Sequence, residues 1–157
     1  MDLRKSVLVG HAAERMFDLI EAAEHYPEFL PWCRAATIVE RDDAIVVADI
    51  EIDVHGVRFA IRTRNPKRRP GWMAIELERG PFHRFHGEWH LTPLAVDGCR
   101  IEFELRYDFD HSVIGRLASP VFDRVANTLV DAYVTRADRL YPVPGALAIA
   151  SDGAPPP

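Results

Sequence analysis

A chain of 157 residues with 48% apolar and 27% charged side chains has the composition of one soluble domain around one buried core. Its formal net charge of −5 opposes general attraction to nucleic acid, so DNA is not an expected partner and any polyanion contact needs a local basic patch. Nothing approaches the roughly 18 apolar residues of a membrane-spanning helix or the apolar run of about 7–15 residues that makes a secretory signal, so the expectation is a cytoplasmic protein, at most peripheral to the inner membrane.

Arg4 to Val9 reads as a strand and Ala12 to Ala23 as a helix, with Met16, Phe17, Leu19 and Ile20 at helical spacing and Glu14, Arg15, Asp18 and Glu21 opposite. The stretch from Tyr26 to Trp32 carries two prolines, which leaves a loop or a single helical turn with three aromatics. The period then changes to two. Thr37 to Arg41 is a short strand. From Ala48 to Val54, apolar residues alternate strictly with Asp49, Glu51 and Asp53, and His55-Gly56 turns the chain into Val57 to Thr63. Asn65 to Gly71 reads as a polar, proline-bracketed turn. Trp72 to Leu77, Phe82 to Leu91 and, after an Asp97-Gly98 hairpin turn, Arg100 to Phe109 complete the strands. Ser112 to Leu140 is a long helical pattern in which Phe122, Ala126, Leu129, Tyr133, Ala137 and Leu140 form one stripe, widened by Val121, Val125 and Ala132. Pro120 is expected to mark a break or the first turn after a short preceding helix.

Consecutive strands with short turns and strict alternation mean an antiparallel sheet with one wet and one covered face. The long helix is the available cover. The expected fold is therefore α+β with a helix-grip layout: a curved seven-stranded sheet wrapped on the C-terminal helix. Residues 1–141 form this domain, and 142–157 form a Pro- and Ala-rich tail expected to be disordered. A twisted sheet curves away from a straight helix, leaving room for an apolar cavity lined by inward residues such as Ile61, Met73, Ile75, Phe85, Trp89 and Phe103. Val121 and Val125 would line it from the helix.

The eight residues Tyr26-Pro27-Glu28-Phe29-Leu30-Pro31-Trp32-Cys33 resemble the Tyr-Pro-x-Phe-Leu-Pro-x-Cys signature of the coenzyme Q-binding, START-like family. That family includes the ribosome-association toxins of the RatA type and is related to the polyketide cyclase/dehydrase superfamily. The resemblance continues through Thr63-Arg64-Asn65, Gly80-Pro81-Phe82, the run from Gly87 to Leu94, Cys99 to Phe103 and the end of the last helix, covering about residues 2 to 141. It implies one of two functions. The first is carrying or chaperoning a hydrophobic lipid, ubiquinone or a similar prenyl lipid, in support of respiration. The second is association with the large ribosomal subunit, blocking subunit joining.

Alternation places nearly all carboxylates on the outer face, and no Ser–His–Asp order or metal-ligand spacing stands out, so no enzyme activity, catalytic residue, cofactor or metal is expected. Cys33 and Cys99 read as buried thiols. His86 and His90 fall on the polar face of their strand, and His83 on the face of Phe85. In the aromatic loop, Tyr26, Phe29, Leu30 and Trp32 read either as a plug on the core or as a gate contacting the ligand at the pocket mouth. Arg58, Arg62, Arg64, Lys67, Arg68 and Arg69 lie within twelve residues. They read either as a solvated edge or as a landing patch for anionic lipid or ribosomal RNA.

Overall fold

In the computed structural model, which describes residues 1–142, the strands are β1 (Asp2–Val9), β2 (Cys33–Arg41), β3 (Ile45–Val54), β4 (Val57–Arg68), β5 (Trp72–Arg79), β6 (Phe82–Ala95) and β7 (Gly98–Phe109). The helices are α1 (Ala13–Glu21) and α2 (Val113–Leu140), and a 3-10 turn covers Ala23–Glu28. Beyond Pro142, the expected tail lies outside the described residues. All seven strands pair in one antiparallel sheet in the order β1-β7-β6-β5-β4-β3-β2. Placing β1 beside β7 brings the two ends of the domain together, so the meander curls round α2.

The alternation does what it predicts. Ala48, Ile50, Ile52 and Val54 of β3 are buried, as are Ile101, Phe103, Leu105 and Tyr107 of β7, while Glu51, Glu76, Glu102 and Asp108 face water. Buried apolar area of this kind contributes roughly 25 cal/mol per Å2. On α2 the buried stripe is Ala118, Phe122, Val125, Ala126, Val130, Tyr133 and Ala137. It drifts from the expected one at the C-terminal end, where Leu140 is 44% exposed and Val130 is buried instead.

Three further expectations are corrected. Asn65 to Arg68 is not a turn but the continuation of β4: Pro66 lies opposite Ile45, and Lys67 and Arg68 pair with Met73 and Trp72. The missing N–H of Pro66 is tolerated near the strand end, and the Lys67 N–H bonds the Ala44 carbonyl at 2.9 Å. Pro120 does not break α2, which runs unbroken through it for 28 residues. Pro120 sits on the exposed side, where water can satisfy the carbonyl it frees. His83 does not share the face of Phe85. A register shift between Phe82 and Arg84 buries Phe82 and leaves His83 exposed.

The start of α2 is tightly fixed. Ser112 caps it by accepting from the Gly115 N–H at 3.0 Å, and Asp110 accepts from the Ser112 N–H at 3.0 Å. A Cβ at Gly115 would stand 2.4 Å from the Asp110 carbonyl oxygen, so only glycine fits there.

Candidate functional site: an apolar cavity and its outer cleft

Inward residues of β3 to β7 and one side of α2 enclose an apolar cavity of about 80 Å3. The strands contribute Ile61, Met73, Ile75, Phe85, Trp89 and Phe103, joined by Ile50, Ile52 and Leu105. Helix α2 supplies Phe122, Val125, Ala126, Leu129 and Tyr133, and the aromatic loop supplies Tyr26 and Trp32. Three anticipated lining residues stand elsewhere: Leu30 is buried in the core at 1% exposure, Val121 packs against the core, and Phe29 lies outside the cavity wall. Thr63 and Asn65, the polar part of the lining on β4, escaped sequence reasoning. Extending the period-two pattern of β4 past Thr63 would have found Asn65.

The aromatic loop is packed onto α2. The Tyr26 hydroxyl donates to the Ile20 carbonyl. Its ring meets Tyr133 edge-on at 5.6 Å, and Phe29 meets Tyr133 at 5.4 Å. The Arg136 guanidinium lies 5.2 Å from the Phe29 ring centre and donates to Glu28 at 2.9 Å. Outside this layer, between the loop and α2, runs a cleft of about 550 Å3 lined by Glu28, Phe29, Pro31, Trp32, Val125 and residues further along α2. Trp32 and Val125 border both spaces.

The cavity lining contains no Asp, Glu, His, Cys, Lys or Arg. Burial pushes the phenols of Tyr26 and Tyr133 well above their ordinary range. Burial also raises the Cys33 thiol to about 11, and that of Cys99 above its usual value, as befits inert thiols. Among the described residues, no group of three or more His, Cys, Asp or Glu is placed to hold a metal ion.

The six clustered cations do not form one free surface. Lys67 points inward, is 2% exposed, and makes a short ion pair with Glu21 of α1. Arg69 donates to the other Glu21 oxygen at 2.6 Å and also reaches Asp18. Burial raises the Glu21 carboxyl, but hydrogen bonds from Lys67 and Arg69 outweigh it and hold its pKa below the ordinary value. Arg62 is bidentate on Asp49 at 2.6 and 2.8 Å, and Arg58 pairs with Asp53 at 3.0 Å. Arg64 is 3.8 Å from Glu78, and Arg68 lies over the Trp72 ring at 5.4 Å.

A curved antiparallel sheet gripping one long helix around an apolar cavity defines the START-like, helix-grip class. The chain belongs to the polyketide cyclase/dehydrase and lipid transport family, whose profile matches residues 9–134. It is 32% identical over 139 residues to the Pseudomonas aeruginosa protein named ribosome association toxin RatA, covering 88% of this chain and 96% of that one. It is 22% identical over 150 residues to a Xenopus laevis protein named coenzyme Q-binding protein COQ10 homolog B, covering 90% of this chain and 59% of that one. Among solved structures, the ZhuI aromatase/cyclase from Streptomyces sp. R1128 superposes with a TM-score of 0.75 at 16% identity, over 88% of this chain and 94% of that one, a likeness of fold.

Proposed function

We propose that this protein binds a hydrophobic, ring-bearing lipid, with ubiquinone the leading candidate, and acts as a carrier or chaperone without transforming it. The observation that carries this reading is the apolar cavity, which shares Trp32 and Val125 as a common border with the outer cleft. A space of about 80 Å3 is far smaller than the roughly 300–1,000 Å3 of a pocket enclosing a whole drug-sized ligand. The inner cavity therefore takes the ring, and a long tail leaves past Trp32 and Val125 along the apolar side of the cleft. The relative named for coenzyme Q binding supports the choice of ligand. The lining offers apolar contact and hydrogen bonds but no general acid, base or nucleophile suited to neutral pH, which supports binding over catalysis. Organic extraction of the purified protein followed by mass spectrometry should release a prenylated quinone. Repeated recovery of no lipid, with no quinone uptake in vitro, overturns the reading.

A second reading is association with the large ribosomal subunit. It is favoured by the name of a relative 32% identical over 88% of this chain. Its footprint would be the exposed members of the basic cluster that are not tied to α1, Arg58, Arg64 and Arg68. Stoichiometric co-sedimentation with purified large subunits that weakens as salt rises would move this reading ahead of the first.

A further inference from the structure

The inner face of β4 changes character along its length. Phe59 and Ile61 are apolar, Thr63 and Asn65 face the cavity, and Lys67 is taken up by Glu21. Of these, Asn65 alone has a fully buried polar atom without a partner: its Oδ1 accepts no hydrogen bond. The amide nitrogen of the same side chain lies 3.8 Å from the Met73 Sδ. A thioether sulfur accepts but does not donate. It therefore fixes the amide with nitrogen toward Met73 and oxygen turned away from it, because the flipped amide would set oxygen against sulfur. The nearby tyrosines do not meet this need. The Tyr26 hydroxyl is committed to Ile20, and no hydrogen bond joins the Tyr133 hydroxyl to the Asn65 oxygen.

A buried acceptor with no donor is costly, and such groups persist where a ligand completes them. We infer that Asn65 is the head-group anchor of the cavity and that it selects a ligand ring carrying a hydroxyl donor: the reduced hydroquinone form of a quinone, rather than the oxidised form with only carbonyl acceptors. The inference rests on the proposal that a ring-bearing lipid occupies the cavity. It adds a chemical preference that apolar walls alone cannot supply, since both redox forms of a quinone have almost the same shape. Thr63, two residues earlier on the same face, can donate or accept and so discriminates less.

The test compares a short-chain ubiquinone analogue in its oxidised and chemically reduced forms, titrated anaerobically against the full chain by quenching of tryptophan fluorescence. The reduced form should bind about tenfold more tightly to the wild type, the ratio expected for one buried hydrogen bond. Asn65→Leu, which is similar in size and apolar, should bind both forms equally and melt at a higher temperature when empty. Asn65→Val, suited to a strand, provides the same readout should leucine misfit. Equal binding of the two forms by the wild type, or a preference that survives in either variant, overturns the role of Asn65 while leaving lipid binding intact. Failure of both forms to bind the wild type overturns the lipid reading and this inference together.

Discussion

Trp32, at the entry to β2, and Val125, midway along α2, stand on the boundary between the buried cavity and the outer cleft. Trp32 is half-buried and Val125 is buried. Any ligand tail that leaves the cavity for the cleft crosses between them. Trp32→Ala should speed release of a short-chain quinone about tenfold, while costing about 1–2 kcal/mol of stability because the ring is only half-buried. Val125→Phe should slow both uptake and release. Stopped-flow fluorescence with both variants reads the exchange rates directly, and wild-type rates in both would remove the boundary from the path.

Trp89 carries more of the fold than Trp32. It is 1% exposed, with its ring 4.3 Å from Phe103 and 5.1 Å from Tyr133. Trp89→Ala and Phe103→Ala should each cost about 3–5 kcal/mol in urea unfolding, the usual loss for a buried aromatic. Because the rings touch, the double variant should cost less than the sum, by about 0.5–1.5 kcal/mol. Phe29→Ala removes a half-buried ring between Tyr133 and Arg136, and should cost less stability than either. Ligand uptake lost in strict proportion to stability in Phe29→Ala would mark the loop as a plug alone.

The ion pair of Lys67 with Glu21 predicts an asymmetry and a pH dependence. Glu21→Gln leaves the Lys67 ammonium buried at 2% exposure with no carboxylate, which should cost about 3–5 kcal/mol at pH 7. Lys67→Met leaves Glu21 still bonded to Arg69 at 2.6 Å, and should cost less than half as much. The pKa of Glu21 is lowered in the folded protein, so its contribution is present above the ordinary carboxylate value and is lost as pH falls through the lower folded value. The gap between wild type and Glu21→Gln should therefore narrow below about pH 4. Chemical unfolding at pH 7 and pH 3.5 checks both statements, and a gap that stays constant with pH would refute the linkage.

This ion pair also marks where sequence reasoning reached its limit. The seven strands and the long helix were legible because one face of the sheet is wet and the other covered, which writes a period of two into β3 and β7 and a period near 3.6 into α2. The covered face of β4 breaks that code. Thr63, Asn65 and Lys67 are polar residues facing inward, so a stretch with Pro66 in its middle read as a turn. The partner that makes Lys67 tolerable, Glu21, lies 46 residues earlier, on the face of α1 read as solvated. The strand residues of the cavity followed from parity. The aromatic loop has no period, so nothing in the sequence separated Trp32 at the cavity wall from Phe29 outside it or Leu30 beneath it.

The same geometry decides how the basic cluster must be tested. Reversing Lys67 or Arg69 to Glu would set like charges against Glu21 and Asp18 and damage the packing of α1, so a loss of binding would report unfolding. Arg62 is held bidentate by Asp49 and is a poor candidate for a mobile contact. Arg58, Arg64 and Arg68 are exposed, and surface ion pairs such as that of Arg58 with Asp53 contribute only about 0–1 kcal/mol, so a polyanion can compete for them. The triple variant Arg58→Ala, Arg64→Ala, Arg68→Ala should fold normally and take up quinone as the wild type does. Its binding to anionic vesicles should weaken and lose salt sensitivity. If large subunits are the partner, the slope of log affinity against log salt should fall by about one for each phosphate contact removed, about three in all. Sedimentation of wild type and variant with each partner across a salt series separates the outcomes. An unchanged slope for both partners would show that neither phosphate surface is read by these three arginines, and would leave the apolar cavity as the working surface of the protein.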